Sequence, residues 1–168
     1  MTTSTMTTRT RVISGVFIAI ALTVAALSFT RWSDSPSRQE SIAERGSTVM
    51  PFDLERTTHR FDPTTDGGFQ TVVADDPTDQ TQVGLVQEHL REEAEAFARG
   101  KFGDPAQIHG ADMPGLDTLE EGYDRIDISY DRQAEGATIR YATSDPELVT
   151  ALHEWFAAQT SDHGEHSG

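Results

Sequence analysis

The sequence predicts an α+β protein. It reads as a single small domain of the pattern ββα–connector–ββα, with an antiparallel sheet packed by two helices, preceded by one N-terminal transmembrane helix. Three observations predict this. Residues 12–30 form an uncharged run of 19 residues. Two later segments each show two β-patterned stretches around a turn, followed by a capped amphipathic helix. Between those segments, residues 97–116 are dense in residues that stop and start helices.

The run from Val12 to Thr30 (VISGVFIAIALTVAALSFT) approaches the ~20 residues needed to cross a bilayer core. Arg9 and Arg11 precede it, and Arg31 and Trp32 follow at interface positions. Its length favours an anchor, or an uncleaved signal, over a cleaved signal peptide, whose apolar core is shorter and ends in a small-x-small site. Arg9 and Arg11 favour a cytoplasmic N-terminus, which puts the domain outside the membrane, although Arg31, Arg38 and Arg45 reduce the contrast. The expectation is therefore a single-pass cell-membrane protein: an N-terminal tail at 1–11, an anchor at 12–30 with the membrane as partner, and an extracytoplasmic domain. Residues 31–49 are polar, with Ser, Pro and Gly, and read as a tether. The α+β domain is expected at 50–160, and a flexible His/acid tail at 161–168. Met50 is an alternative start that would give a chain without the anchor.

The chain has 168 residues, with 13 basic and 28 acidic side chains and a net charge of −15. The imbalance lies wholly after residue 49. A domain this acidic repels phosphate backbones, which argues against nucleic-acid binding. Cysteine is absent, so disulfides, thiolate metal ligands and cysteine nucleophiles are excluded.

Within the domain, residues 57–62 (TTHRFD) read as a short strand and Pro63–Gly68 as a turn, with Asp66-Gly67 a strong hairpin signal. Phe69–Ala74 is rich in β-formers. Asp76-Pro77 is then expected to open a helix, with Asp76 capping and proline in the first turn. Val83, Val86, Leu90, Ala94 and Phe97 make its apolar stripe, and Gly100 its C-terminal stop. In the connector, Asp104-Pro105 and Gly110 delimit a single helical turn, and a short helix is expected at 114–121. The pattern then returns. Residues 125–130 and 137–143 alternate around a turn, and Ser144-Asp-Pro-Glu147 reads as a capping box before a last helix carrying Leu148, Leu152, Trp155 and Phe156. Gly67 aligns with Gly136 at an offset of 69, and the helical stripes align at 66, so the halves share a topology.

All six histidines (His59, His89, His109, His153, His163 and His166) lie after residue 50. Histidine is the commonest metal ligand, and a thioether suits copper(I). His109 and Met113 are the candidate metal ligands, for copper or zinc. Asp104, His109, Asp112 and Met113 together are the candidate ligand-binding set. The competing reading makes His109 a favourably charged group at a helix C-terminus and Met113 an anchor to the core. His89 and His153 sit about 100° from their stripe centres and read as boundary residues. His163 and His166 sit beside acids in the tail and offer at most weak metal binding. The sequence has no GxSxG elbow and no P-loop glycine pattern, and no catalytic residue can be named.

The segments MPFDLERTTHRF (50–61), Gly67-Gly68 with Asp75-Asp76-Pro77, GDPAQIHGADMPGL (103–116) and ALHEWFAAQTSDHG (151–164) resemble a family of small bacterial proteins that carries the name aspartate carbamoyltransferase. The resemblance covers most of the domain. It implies a shared fold, with 103–116 as a family feature, and the name implies carbamoyl transfer. That enzyme binds carbamoyl phosphate with a Ser-Thr-Arg-Thr-Arg segment, a lysine and a His-Pro-x-Gln motif. Thr7-Thr-Arg-Thr-Arg11 is similar to the first but directly precedes the apolar run, and His-Pro-x-Gln is absent. Three functions are therefore open: a membrane-tethered extracytoplasmic binding module with a metal or small ligand near 103–116, a small enzyme as the family name suggests, or a structural interaction domain.

Overall fold

The computed structural model describes residues 36–163, and the run at 12–30 lies outside them. Among the described residues no helix is long and apolar enough to cross a membrane. The chain forms helix α1 (Pro36–Val49), a 3-10 turn at Leu54–Arg56, strands β1 (Thr57–Thr64) and β2 (Gly67–Ala74), and helix α2 (Gln80–Phe97). The connector supplies α3 (Gly103–His109) and α4 (Leu116–Gly122) with a 3-10 turn at Tyr123–Arg125. Strands β3 (Asp127–Arg132) and β4 (Gly136–Ala142) and helix α5 (Pro146–His163) complete the domain.

The strands form one four-stranded sheet in the order β1-β2-β4-β3, with every neighbour antiparallel. His59, Gln70, Val72, Ala137, Ile139 and Tyr141 are buried on the inner face, which α2 and α5 cover. The core is aromatic. Trp155 is fully buried and makes edge contacts with Phe97, Phe102 and Tyr141 at centroid distances of 6.0, 6.2 and 5.6 Å. Phe97 and Phe102 stack in parallel at 4.6 Å across the end of α2, which ties the start of the connector to that helix.

The two halves are related by a local two-fold. In the central pairing Gln70 faces Ile139, residues that differ by the sequence offset of 69, so that pair lies on the axis. Adding the same offset to the β1–β2 pair Thr58↔Val73 gives Asp127↔Ala142, which is the β3–β4 register. The helix limits obey the offset of 66, and both helices have 18 residues. The glycines obey the offset of 69. A Cβ on Gly67 would lie 2.2 Å from the Tyr141 carbonyl oxygen, and one on Gly136 would lie 2.0 Å from that of Val72. Only glycine lets the central strands approach this closely.

Four expectations need correction. α2 begins at Gln80, because Asp79 accepts from the backbone N–H groups of Thr81 and Gln82. Asp76 instead accepts from Thr78 N–H and Thr78 Oγ1–H, closing a separate turn before the helix. At α5 the cap is Asp145 rather than Ser144, since the Asp145 carboxylate accepts from Glu147 N–H. Residues 36–49, expected as tether, form α1. Ile42 is buried, and the Arg45 Nε–H donates to the Ile108 carbonyl at 2.6 Å. The tail expected from 161 is helical through His163, and Asp162 is buried.

Asp162 explains both of the last two. Arg38 of α1 donates to its two oxygens at 3.0 and 3.1 Å, and His109 Nδ1–H donates to it at 2.9 Å. Arg38 also donates to the His109 carbonyl. Burial opposes ionisation of Asp162, but the His109 and Arg38 bonds and charges outweigh it and hold the carboxyl below its usual range. One carboxylate thus clamps α1, the end of α3 and the end of α5.

Asp162→Asn is expected to lower stability at pH 7 by about 2–3 kcal/mol in urea unfolding. That is below the ~3–5 for a fully buried pair, because part of Arg38 is exposed. A carboxylate with a depressed folded pKa stabilises above its unfolded value and loses that stabilisation as pH falls. The gap between wild type and variant should therefore close as the solution is acidified below about pH 4.

Candidate functional site

The polar groups that converge lie where α2 meets the start of the connector. His89 and Glu93 are one turn apart on α2 and face the same side. Glu93 is 4 % exposed, although it lies in the middle of the helix's apolar stripe, three residues after Leu90 and four before Phe97. Asp104 reaches the same place from the first turn of α3, positioned by the Phe97–Phe102 stack just before it. One ligand atom from each of His89, Glu93 and Asp104 lies within 4.8 Å of the other two.

The sheet supports this group from below. The Tyr141 hydroxyl donates to Gln70 Oε1 at 2.7 Å, and the Gln70 amide donates to Glu93 Oε2 at 3.1 Å. The chain fixes one Glu93 oxygen and orients the other toward His89. His89 Nε2 is buried and has no hydrogen-bond partner among the described residues; Glu93 Oε1 stands 3.7 Å away, beyond hydrogen-bonding distance. The His89 ring is held edge-on to Phe52 at 5.6 Å.

Electrostatics follow from burial. Desolvation, with the Asp104 charge adding to it and the Gln70 bond opposing, pushes the Glu93 carboxyl up to about 8. Burial pushes His89 down, against the pull of Asp104 and Glu92. Tyr141 is raised by its own burial and by Glu93. Near neutral pH the imidazole is therefore neutral and Glu93 mostly protonated.

The group separates two spaces. Inside lies a cavity of about 10 Å3, room for about one water, lined among others by His59, His89, His109, Gln70 and Gln159. Outside lies a hollow of about 300 Å3 lined by His89, Glu92, Glu93, Ala96, Phe97, Lys101, Gly103 and Asp104.

Of the residues singled out from the sequence, Asp104 belongs to this group. His109 is buried and bonded to Asp162 through Nδ1. Met113 is 3 % exposed and packs within the hydrophobic core, and Asp112 is exposed. His153 donates through Nε2 to the Thr64 and Gly67 carbonyls at 2.9 and 3.0 Å, pinning α5 to the first hairpin turn. His59 lies 3.4 Å from Thr57 Oγ1. The side chains of His163 and His166 lie outside the described residues. Sequence reasoning missed Glu93, whose signal was an acid inside an apolar stripe. It also missed His89 as Glu93's helical neighbour.

No protein-family model, curated protein or solved structure matches the chain.

The Glu93 shift has a testable sign. Below the unfolded value of 4.5 the carboxyl is protonated in both states. Between 4.5 and about 8 only the unfolded state gives up its proton, so rising pH destabilises the fold, and above about 8 the penalty is constant. Glu93→Gln keeps an acceptor for Gln70 and cannot ionise. Urea unfolding at pH 4.5, 6 and 8.5 should show the variant gaining progressively on wild type as pH rises.

Proposed function

We propose that the protein is a membrane-tethered, extracytoplasmic binding module, non-catalytic, that holds a small ligand at the hollow between α2 and the connector. Among the described residues three buried polar side-chain atoms lack a partner, His89 Nε2, Trp155 Nε1 and Gln159 Oε1, and the observation that carries the proposal is that His89 alone of these stands with Glu93 and Asp104 in one cluster of possible ligands. A buried polar atom without a partner costs about 1–3 kcal/mol, and a carboxyl within an apolar stripe adds to that cost. Groups that weaken a fold and find no internal partner are characteristic of sites kept for something outside the chain. Among the described residues no hydroxyl or thiol side chain lines the hollow, so it holds no serine-, threonine- or cysteine-type nucleophile. The tether rests on the uncharged run at 12–30, and the outward domain on Arg9 and Arg11.

A structural role and a binding role predict opposite effects on the ligand-free protein. If the group is kept for binding, His89→Leu in full-length, chelator-treated protein should raise stability, by about 1–3 kcal/mol, because an orphaned polar atom is removed. Thermal unfolding checks this, and a clear loss of stability would make the imidazole part of the scaffold. For the tether, protease added outside intact cells should digest the domain, while the run at 12–30 stays with the membrane fraction.

A further inference from the structure

We propose that the site takes a divalent transition-metal ion of the zinc class, ligated by His89 Nε2, one oxygen of Glu93 and one of Asp104. This deepens the binding reading and rests on it.

The donor set is one neutral imidazole and two carboxyl groups, and a bound metal would displace the Glu93 proton. Such a set suits zinc and its first-row neighbours, and lacks the sulfur that selects copper(I). The geometry is close to what a metal needs. Ligands at about 2.0–2.2 Å from a shared ion stand some 3–4 Å apart. One ligand atom of each residue lies within 4.8 Å of the other two, and His89 Nε2 stands 3.7 Å from Glu93 Oε1, so closure asks for a shift on the order of 1 Å. Half-buried Asp104, on a short connector helix, is placed to make it.

The surroundings match a metal site as well. The imidazole nitrogen already points into the cluster without a partner, which is the state a ligating nitrogen needs. The Tyr141–Gln70–Glu93 chain orients one ligand from behind, as outer-shell hydrogen bonds do around bound metals. Two carboxyls and an imidazole brought this close are groups that a divalent charge would draw together. Three protein ligands leave a fourth position of a tetrahedral site to a solvent molecule or a small ligand, and all three residues line the hollow of about 300 Å3. Lys101 lines the same hollow, and its charge works against a bound cation.

The competing explanation is a water in the inner cavity of about 10 Å3 that satisfies His89. Calorimetry decides between them. Full-length protein in detergent, stripped with chelator, is titrated with Zn2+, and with Co2+ followed by absorbance. One equivalent should bind saturably, and Co2+ should give the visible spectrum of a low-coordinate site.

Losing an outer-shell partner typically weakens metal sites by about 10–100-fold, so His89→Ala and Glu93→Gln, which remove direct ligands, should exceed the upper end of that range. Asp104→Asn, at a half-buried position, repeats the test should His89→Ala fail to fold. The double variant His163→Ala/His166→Ala should bind as wild type does. Absence of saturable binding overturns the proposal. So does binding that survives the His89, Glu93 and Asp104 changes, or that is lost only with the tail histidines. If metal does not bind but His89→Leu still stabilises the protein, the metal assignment falls and the binding module stands. If His89→Leu destabilises as well, both fall.

Discussion

The pairing of β2 with β4 is the constraint on which the rest of the structure depends. Two hairpins, each with its helix, are joined only there within the sheet. Neither hairpin has enough buried surface to stand alone. The join requires Gly67 and Gly136 at equivalent positions, because each would otherwise drive a Cβ into the carbonyl of the opposite central strand. It also puts Gln70 on the local axis, facing inward. From that position its amide can reach both halves: it accepts from Tyr141 of the second hairpin and donates to Glu93 of the first helix. The residue at the geometric centre of the fold is therefore also the support of the polar site.

The local symmetry makes the division of labour between the halves visible. At the helix offset of 66, His89 corresponds to Trp155 and Glu93 to Gln159. One helix places an indole at the first position and builds an aromatic core around it with Phe97, Phe102, Tyr141 and Phe156. The other places an imidazole there and builds a polar pocket. Across the axis the same contrast recurs, Gln70 against Ile139. Full burial of large aromatic side chains contributes several kcal/mol in total, which offsets a carboxyl and an imidazole held away from water in the other half.

Much of the fold was legible in the sequence. Turn chemistry at Asp66-Gly67, the alternation at 137–143 and the stripe from Val83 to Phe97 each carry their signal within a few residues, so the order of elements and the two-helix, four-strand layout could be read. What could not be read depends on contacts far along the chain. Among its described side chains α1 buries one apolar group, Ile42, and it is held instead by Arg38 and Arg45 reaching residues 108, 109 and 162. Nothing local distinguishes such a segment from a polar linker. The start of α2 was misread because Asp76 and Asp79 are both good caps, and only the Asp76–Thr78 turn decides between them. The site was half legible. Asp104 was singled out for its position in the connector. Glu93 was passed over, though an acid between Leu90 and Phe97 on the buried face is the less expected of the two.

The connector's two ends explain why His109 and Met113 stand so near a site to which they do not contribute. The C-terminal end of α3 is fixed: His109 is bound by Asp162, its carbonyl by Arg38, and the Ile108 carbonyl by Arg45. Met113 is then sealed into the core three residues after Gly110. The N-terminal end is held as well: Phe102 stacks on Phe97 and meets Trp155 edge-on, and Pro105 is buried. Asp104 lies between these two anchors and is left half-buried at the rim of the hollow. A short helix anchored at both ends carries this one side chain past the edge of the core toward α2. The contacts that bury His109 and Met113 at one end, and Phe102 at the other, therefore fix where the Asp104 carboxyl stands.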